Sequence, residues 1–151
     1  MDNASLERRI TLRLLSYWEK QRRGRDMPTE QDIDPQDVRD LWPNCFIVHV
    51  EDLGKADYQY SFLGEAIARA YQGNLLDGST TLVGTPYADR LNACYSEVII
   101  NRKPLIDEGE FRNIHQETIK YRQCLLPLGD EDGVTAIFGG MRYKIFSTNK
   151  V

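Results

Sequence analysis

Apolar residues near the start of the chain recur at steps of four, which is the spacing of one helix face. They are Leu6, Ile10, Leu14 and Trp18. This stripe predicts a helix over residues 5–23 with charged residues on its opposite side. We expect the stripe to dock on an apolar surface, either of the chain's own domain or of another chain. Further along, Asp34 is suited to cap the start of a helix and Pro35 to occupy its first position. This pair predicts a short second helix running to Pro43.

A two-residue alternation, typical of strands, follows. Residues 45–50 and 58–63 flank a polar turn around Gly54, which is the pattern of a hairpin. Tyr58, Tyr60 and Phe62 are expected to share one face of the second strand, because successive side chains of a strand point to opposite faces.

Helical patterns then return before three final strands. Residues 65–72 indicate a short helix, and Thr85 followed by Pro86 begins a longer one that stops at Pro104. The strand-like runs that close the chain are 105–112, 117–128 and 134–146.

Sequential strands joined by short turns favour antiparallel pairing. The predicted fold class is therefore α+β, a five-stranded antiparallel sheet with short helices on one face and an N-terminal helix. We divide the chain into a helical extension (1–43), the sheet domain (44–146) and a tail (147–151).

Length and charge narrow the functional classes. The chain has 151 residues, the size of one domain, and a net charge of −4. Residues 1–27 hold seven bases and four acids, whereas residues 28–57 hold eight acids and two bases. An acidic protein repels nucleic-acid phosphate at long range, so we expect no nucleic-acid partner. Three cysteines form no Cys-x-x-Cys pair, and no apolar run approaches membrane-spanning length, which favours a cytoplasmic protein without a membrane partner.

Few residues offer recognisable chemistry. Two histidines, His49 and His115, are too few for a multi-histidine metal site, and no glycine-rich phosphate loop or nucleophile elbow is present. The acidic run Asp107, Glu108 and Glu110 leaves two interpretations open. It is either the acid–base pair of a small pocket enzyme, assisted by His115 and a tyrosine, or a charged edge strand that discourages aggregation.

An apolar and aromatic set remains, which forms either the core or the lining of a ligand cavity with tyrosine hydroxyls at its surface. Its members are Tyr60, Phe62, Ile67, Tyr71, Leu91, Tyr95, Val98, Ile119, Tyr121 and Phe138.

Four segments in order resemble a family of small stand-alone bacterial PAS-domain proteins. They are LLSYWE (14–19), DIDP (32–35) with LWP (41–43), YQYSFLGEAIARAYQG (58–73), and CLLPLGDEDG (124–133) before IFGGMRY (137–143). The resemblance implies a PAS fold with a small cavity, and dimerisation through the flanking helix, with Leu6, Ile10, Leu14 and Trp18 as contacts. The chain departs from the family pattern at Gly64-Glu65 and Leu76-Asp77-Gly78.

The resemblance also bears on cofactors and function. Haem-binding relatives use a histidine on the helix before the third strand and flavin-binding relatives an Asn-Cys-Arg-Phe-Leu-Gln motif, and the chain has neither, so we expect no cofactor. The leading hypothesis is a non-catalytic sensor that binds a small ligand or a signalling partner and forms homodimers. The alternatives are the small pocket enzyme with acids near 107–110 and a ligand-free scaffold.

Overall fold

Five strands form one antiparallel sheet in the order β2-β1-β5-β4-β3. The structure is a computed structural model that describes residues 3–52, 57–71, 86–113 and 115–146. The strands are β1 (Cys45–Asp52), β2 (Asp57–Leu63), β3 (Leu105–Arg112), β4 (Thr118–Asp130) and β5 (Gly133–Phe146). The helices are α1 (Asn3–Arg22), α2 (Glu65–Tyr71) and α3 (Pro86–Asn101). The predicted α+β class, the N-terminal helix and the five antiparallel strands are confirmed.

The segment between α1 and β1 differs from its prediction. In place of one short helix it forms 3₁₀ turns at Glu30–Asp32, Pro35–Val38 and Trp42–Asn44. The predicted cap is present, because the Asp34 side chain accepts a hydrogen bond from the Gln36 amide at 3.0 Å. Pro43 has no backbone N–H, so it cannot donate the hydrogen bond that would continue an α-helix through this position. The predicted turn around Gly54 lies outside the described residues.

The sheet has an apolar row on each face, and different helices cover the two rows. We call the face under α2 and α3 the inner face, and the face under α1 the outer face. Buried apolar strand residues of the inner face are Phe46, Val48, Leu63, Phe111, Ile119, Tyr121, Leu125, Ile137 and Met141. Those of the outer face are Cys45, Ile47, Cys124, Leu126, Leu128, Ala136 and Phe138. Among the described residues no helix has the length and apolar character needed to cross a membrane.

Helix α1 docks on the outer face through its predicted stripe. Ile10, Leu14 and Trp18 are at most 5% exposed and belong to the outer core. Leu14 fills the space over Gly140, where a Cβ atom would overlap the leucine Cδ1. The stripe is therefore occupied by the chain's own sheet. The docked helix hides these three residues from a second chain, and their role as dimer contacts stays a prediction. The side chain of Leu6 lies outside the described residues.

The end of β4 is completed by α1 and the following segment. Pairing between β3 and β4 ends at Leu105 and Leu125, so β4 continues without β3 beside it. There the Trp18 indole donates to the Pro127 carbonyl at 2.8 Å, and the Gly129 amide donates to the Pro28 carbonyl at 2.9 Å. Backbone groups that lack a strand partner are thus satisfied, which protects this edge from pairing with other chains.

A bulge in β2 corrects one prediction about its faces. Val48 pairs with Tyr60 and Ile47 pairs with Phe62, so Ser61 is an extra residue in β2. One extra residue reverses the alternation beyond it. Tyr60 therefore packs on the inner core, whereas Phe62 packs on the outer face and stacks on Trp42 with ring centroids 4.2 Å apart.

The contact between Leu14 and Gly140 yields a prediction about α1 docking. Gly140→Ala should lower the free energy of unfolding by about 1–3 kcal/mol through overpacking, and Leu14→Ala by about 2–5 kcal/mol through the cavity it leaves. In the double variant the new methyl group fills part of that cavity, so its loss should be smaller than the sum of the two. Urea unfolding measures all three. Strictly additive losses would contradict the contact.

Candidate functional site

A buried carboxylate lies on the inner face of the sheet. Asp107 of β3 is 8% exposed, and one of its oxygens, Oδ2, accepts hydrogen bonds from the Tyr121 hydroxyl at 2.8 Å and from the Gln123 side-chain amide at 3.0 Å. The strand register brings these groups together, because Asp107 pairs directly with Gln123 and Gly109 pairs with Tyr121. Two neutral donors from β4 thus hold one side of the carboxylate.

Arg90 of α3 supplies the opposite charge. Its Nη2 and Nε atoms donate to Asp107 Oδ1 at 2.6 and 3.1 Å, and Nη2 also donates to the Glu108 carbonyl. Gly109 leaves the space for this contact, since an added Cβ would lie 2.9 Å from the Tyr121 hydroxyl and 3.3 Å from Arg90 Cζ. The Arg90 side chain is 50% exposed. The guanidinium therefore connects a buried acid to the protein surface.

We call Arg90, Asp107, Tyr121 and Gln123 the polar cluster. Two of its members, Tyr121 and Arg90, have raised pKa values. Burial, and then donation to Asp107, raises the pKa of Tyr121 far above its usual value, and the hydrogen bond to Asp107 raises the pKa of Arg90. Burial also raises the pKa of the neighbouring Cys94 thiol to about 11. The tyrosine and the thiol stay protonated at neutral pH, so the cluster is suited to binding and orienting rather than to proton transfer.

Aromatic side chains surround the polar cluster. The Tyr60 and Tyr95 hydroxyls lie 3.0 Å apart, and burial raises the pKa of Tyr60 to about 12. Tyr71 stacks on Phe111 with ring centroids 4.9 Å apart. The inner face is consequently an aromatic surface whose polar groups are already paired with one another.

The structure gathers most of the predicted lining residues on this face. Tyr60, Ile67, Tyr71, Leu91, Tyr95, Val98, Ile119 and Tyr121 all belong to the inner core or pack against it. Phe62 and Phe138 instead belong to the outer face, Phe62 because of the bulge at Ser61 and Phe138 because of its position in β5. They are thus separated from the other eight residues by the sheet. The role of the inner set in ligand binding stays a prediction.

Of the predicted acid–base residues, Asp107 lies next to a tyrosine, Tyr121, whereas the others lie apart from it. Asp107 points to the inner face, whereas Glu108 and Glu110 are exposed on the alternate side of the same edge strand. Glu108 pairs with Arg122 at 2.6 Å. His115 is exposed in a turn, where its backbone amide donates to the Asn113 side chain. No group of three or more potential metal-ligating side chains occurs within the described part of the chain.

Sequence reasoning missed Arg90 and Gln123, although a signal for the cluster was present. The alternation along β3 assigns Asp107 to the same side as Phe111, which is an apolar position, and Gln123 likewise lies between Tyr121 and Leu125 on β4. Polar residues at buried positions of two paired strands indicate a hydrogen-bonded cluster. The cation on α3 has no comparable signal, because its position relative to the sheet depends on the tertiary fold.

The ion pair between Arg90 and Asp107 generates a stability prediction. Arg90→Ala should lower the free energy of unfolding by about 1–3 kcal/mol, because it leaves a buried carboxylate without its cation. Adding Asp107→Asn to that variant should recover part of the loss, since a neutral amide needs no counter-charge. Urea unfolding checks this, with Arg39→Ala as the control at an exposed arginine. Failure of the second substitution to recover any stability would argue against the ion pair.

Comparison with known proteins identifies the family. A family model described as a PAS domain matches residues 6–142. No curated protein sequence gives a significant match. A search of solved structures finds 20 similar chains, among them the crystal structure of a LOV protein from Rhodobacter sphaeroides. That chain is similar with a TM-score of 0.51 and 10% identity, over 74% of this chain and 68% of the other, which supports the fold alone. Since the family match covers most of the sequence, the chain belongs to the PAS domain family.

Proposed function

We propose that the chain is a cytoplasmic, non-catalytic sensor and interaction module of bacterial signalling, which binds a small ligand on the inner face and a partner protein elsewhere. Its membership of the PAS domain family supports a sensor-type module. The observation that carries the ligand proposal is the polar cluster, in which a half-exposed Arg90 reaches the buried carboxylate of Asp107.

The exposure of the two charges indicates the class of ligand. Arg90 is the member of the ion pair that a ligand meets first, because Asp107 is buried behind it. A guanidinium binds carboxylates and phosphates through paired hydrogen bonds. The ligand of this proposal is therefore a small acid whose apolar part contacts the aromatic residues of the inner face.

Such a ligand would compete with Asp107 for Arg90. Arg90 belongs to α3 and Asp107 to β3, so the ion pair links the helix to the sheet. A ligand acid that takes over Arg90 weakens this link and favours a conformation in which α3 is displaced. Ligand binding shifts the populations of the two conformations only to the extent that the ligand binds one conformation more tightly than the other.

Native mass spectrometry of freshly purified protein tests the ligand. The wild type should carry an additional mass of a small molecule. Arg90→Lys should lose it, because a lysine cannot reproduce the paired hydrogen bonds of the guanidinium. Arg39→Lys makes the same exchange at an exposed site away from the cluster and should retain it. Wild-type protein without additional mass would contradict the ligand and favour the ligand-free scaffold.

We also propose that the chain forms homodimers, through a surface other than the buried stripe of α1. The side of α1 that faces away from the sheet carries Leu12, which is 62% exposed. A second copy that covers this side chain would remove apolar area from water.

Sedimentation equilibrium at high micromolar concentration tests the dimer. We expect wild-type dimers and a shift toward monomers in Leu12→Glu, because burying the new carboxylate is unfavourable. Ile100→Glu changes another exposed apolar residue, 72% exposed, and serves as the control. Strictly monomeric wild-type protein would exclude the dimer.

A further inference from the structure

The outer face carries a basic patch on the part of β4 and β5 that extends past β1. Strand β1 pairs with β5 only as far as Gly140, and the remaining parts of β4 and β5 continue together with β3. On the outer side of this extension the register places bases next to one another. We define the basic patch as Arg112, Lys120, Arg122, Arg142 and Lys144.

Like charges face each other directly within the patch. Lys120 pairs with Lys144 across the strands, and Arg122 pairs with Arg142. Directly opposed like charges destabilise a sheet. Of the five bases only Arg122 forms an ion pair with a described residue, Glu108.

The remaining contacts do not neutralise the patch. The Lys120 ammonium lies 5.1 Å from the centre of the Phe146 ring, and that phenylalanine is itself 44% exposed. Lys120 and Lys144 are exposed and Arg122 and Arg142 are half-buried, while Glu110 and Glu108 of β3 lie on the other side of Lys120 and Arg122. A partner of negative charge would relieve the repulsion that remains between β4 and β5.

We propose that the basic patch binds an extended acidic segment of a partner protein. Lys120 and Arg122 are two residues apart on β4, and Arg142 and Lys144 are two residues apart on β5. Both pairs therefore repeat at about 6.8 Å, which is the distance between alternate side chains of an extended peptide. A segment with an acid at every second position places its carboxylates over the bases, and the exposed Phe146 ring offers an apolar contact at one end.

A second copy of the chain fits the patch less well, because its acids at 30, 32 and 40 are engaged and those at 130–132 form a turn rather than an extended segment. Asp40 pairs with Arg13, Asp32 pairs with Arg25 at 2.8 Å, and Glu30 pairs with His49 at 3.1 Å. Nucleic acid also fits less well, because its charge density is higher than that of a segment with an acid at every second position, so the net charge of −4 and the bordering acids Glu108 and Glu110 repel it more strongly. An acidic protein segment is the remaining partner of matching charge.

The acidic segment specifies which kind of partner the interaction module binds, so this proposal rests on the function proposed above. The patch lies on the opposite face of the sheet from the polar cluster, so its test does not require a ligand on the inner face. A protein that retains no small molecule and still binds the acidic segment would contradict the sensor proposal alone.

The experiment measures binding of a fluorescein-labelled eight-residue peptide in which glutamate alternates with threonine, by fluorescence anisotropy at two salt concentrations. The test variant is Arg142→Glu with Lys144→Glu, in which each new acid faces a base of β4. It should lose about tenfold or more in affinity while its melting temperature stays equal or rises, because two repelling pairs become attracting pairs. The matched control, Lys20→Glu with Lys103→Glu, makes the same change in net charge at exposed lysines elsewhere and should bind like the wild type.

Several results would each overturn the proposal. One is wild-type affinity in the patch variant, and another is an equal loss in the control, which would indicate net charge rather than the patch. A third is equal binding of the peptide with glutamine in place of glutamate. The fourth is tighter binding of a single-stranded oligodeoxynucleotide, or an altered oligomeric state of the patch variant in sedimentation, which would assign the surface to nucleic acid or to a second copy. Binding that weakens with salt and is lost only in the patch variant supports it.

Discussion

A sheet that is apolar on both faces must be covered on both, and this requirement organises the whole molecule. Helices α2 and α3 cover the inner face, which leaves an outer apolar row that water would otherwise contact. Helix α1 covers that row, and Leu14 reaches the strand backbone because Gly140 has no side chain. The polar contacts between α1 and the following turns, such as the one between Arg13 and Asp40, then fix the direction of the connecting chain. The position of α1 is therefore a condition of the sheet's stability, since without it the outer row would be exposed.

Most of the fold follows from local patterns in the sequence. The stripe of α1 and the alternation in the last three strands each depend on residues close together in the chain, which is why they predict these elements correctly. The bulge at Ser61 could not be predicted from the local pattern, because it depends on the register between β1 and β2. A single extra residue moved Phe62 to the other face, where Trp42 offers a stacking partner that no local pattern indicates.

The candidate site was less predictable than the fold for a related reason. The aromatic residues of the inner face follow from strand and helix periodicity, so eight of the ten predicted lining residues lie together on that face. The polar cluster combines side chains from α3, β3 and β4, and the decisive contact joins Arg90 to Asp107 across 17 positions of the chain. This ion pair is costly to separate because the buried carboxylate of Asp107 would remain poorly solvated without its cation. It therefore holds α3 in one place more specifically than apolar packing does.

The two tryptophans of the chain both lie on the outer side of the sheet, although they are in different environments. Trp18 is 5% exposed and its indole donates to the Pro127 carbonyl, whereas Trp42 stacks on Phe62. The aromatic residues described on the inner face are tyrosines and phenylalanines. The two faces of the sheet are consequently distinct in spectroscopic terms. Tryptophan emission reports the state of α1 and its docking surface, and tyrosine absorption is weighted toward the face that holds the polar cluster, so one unlabelled sample lets events on the two sides be followed separately.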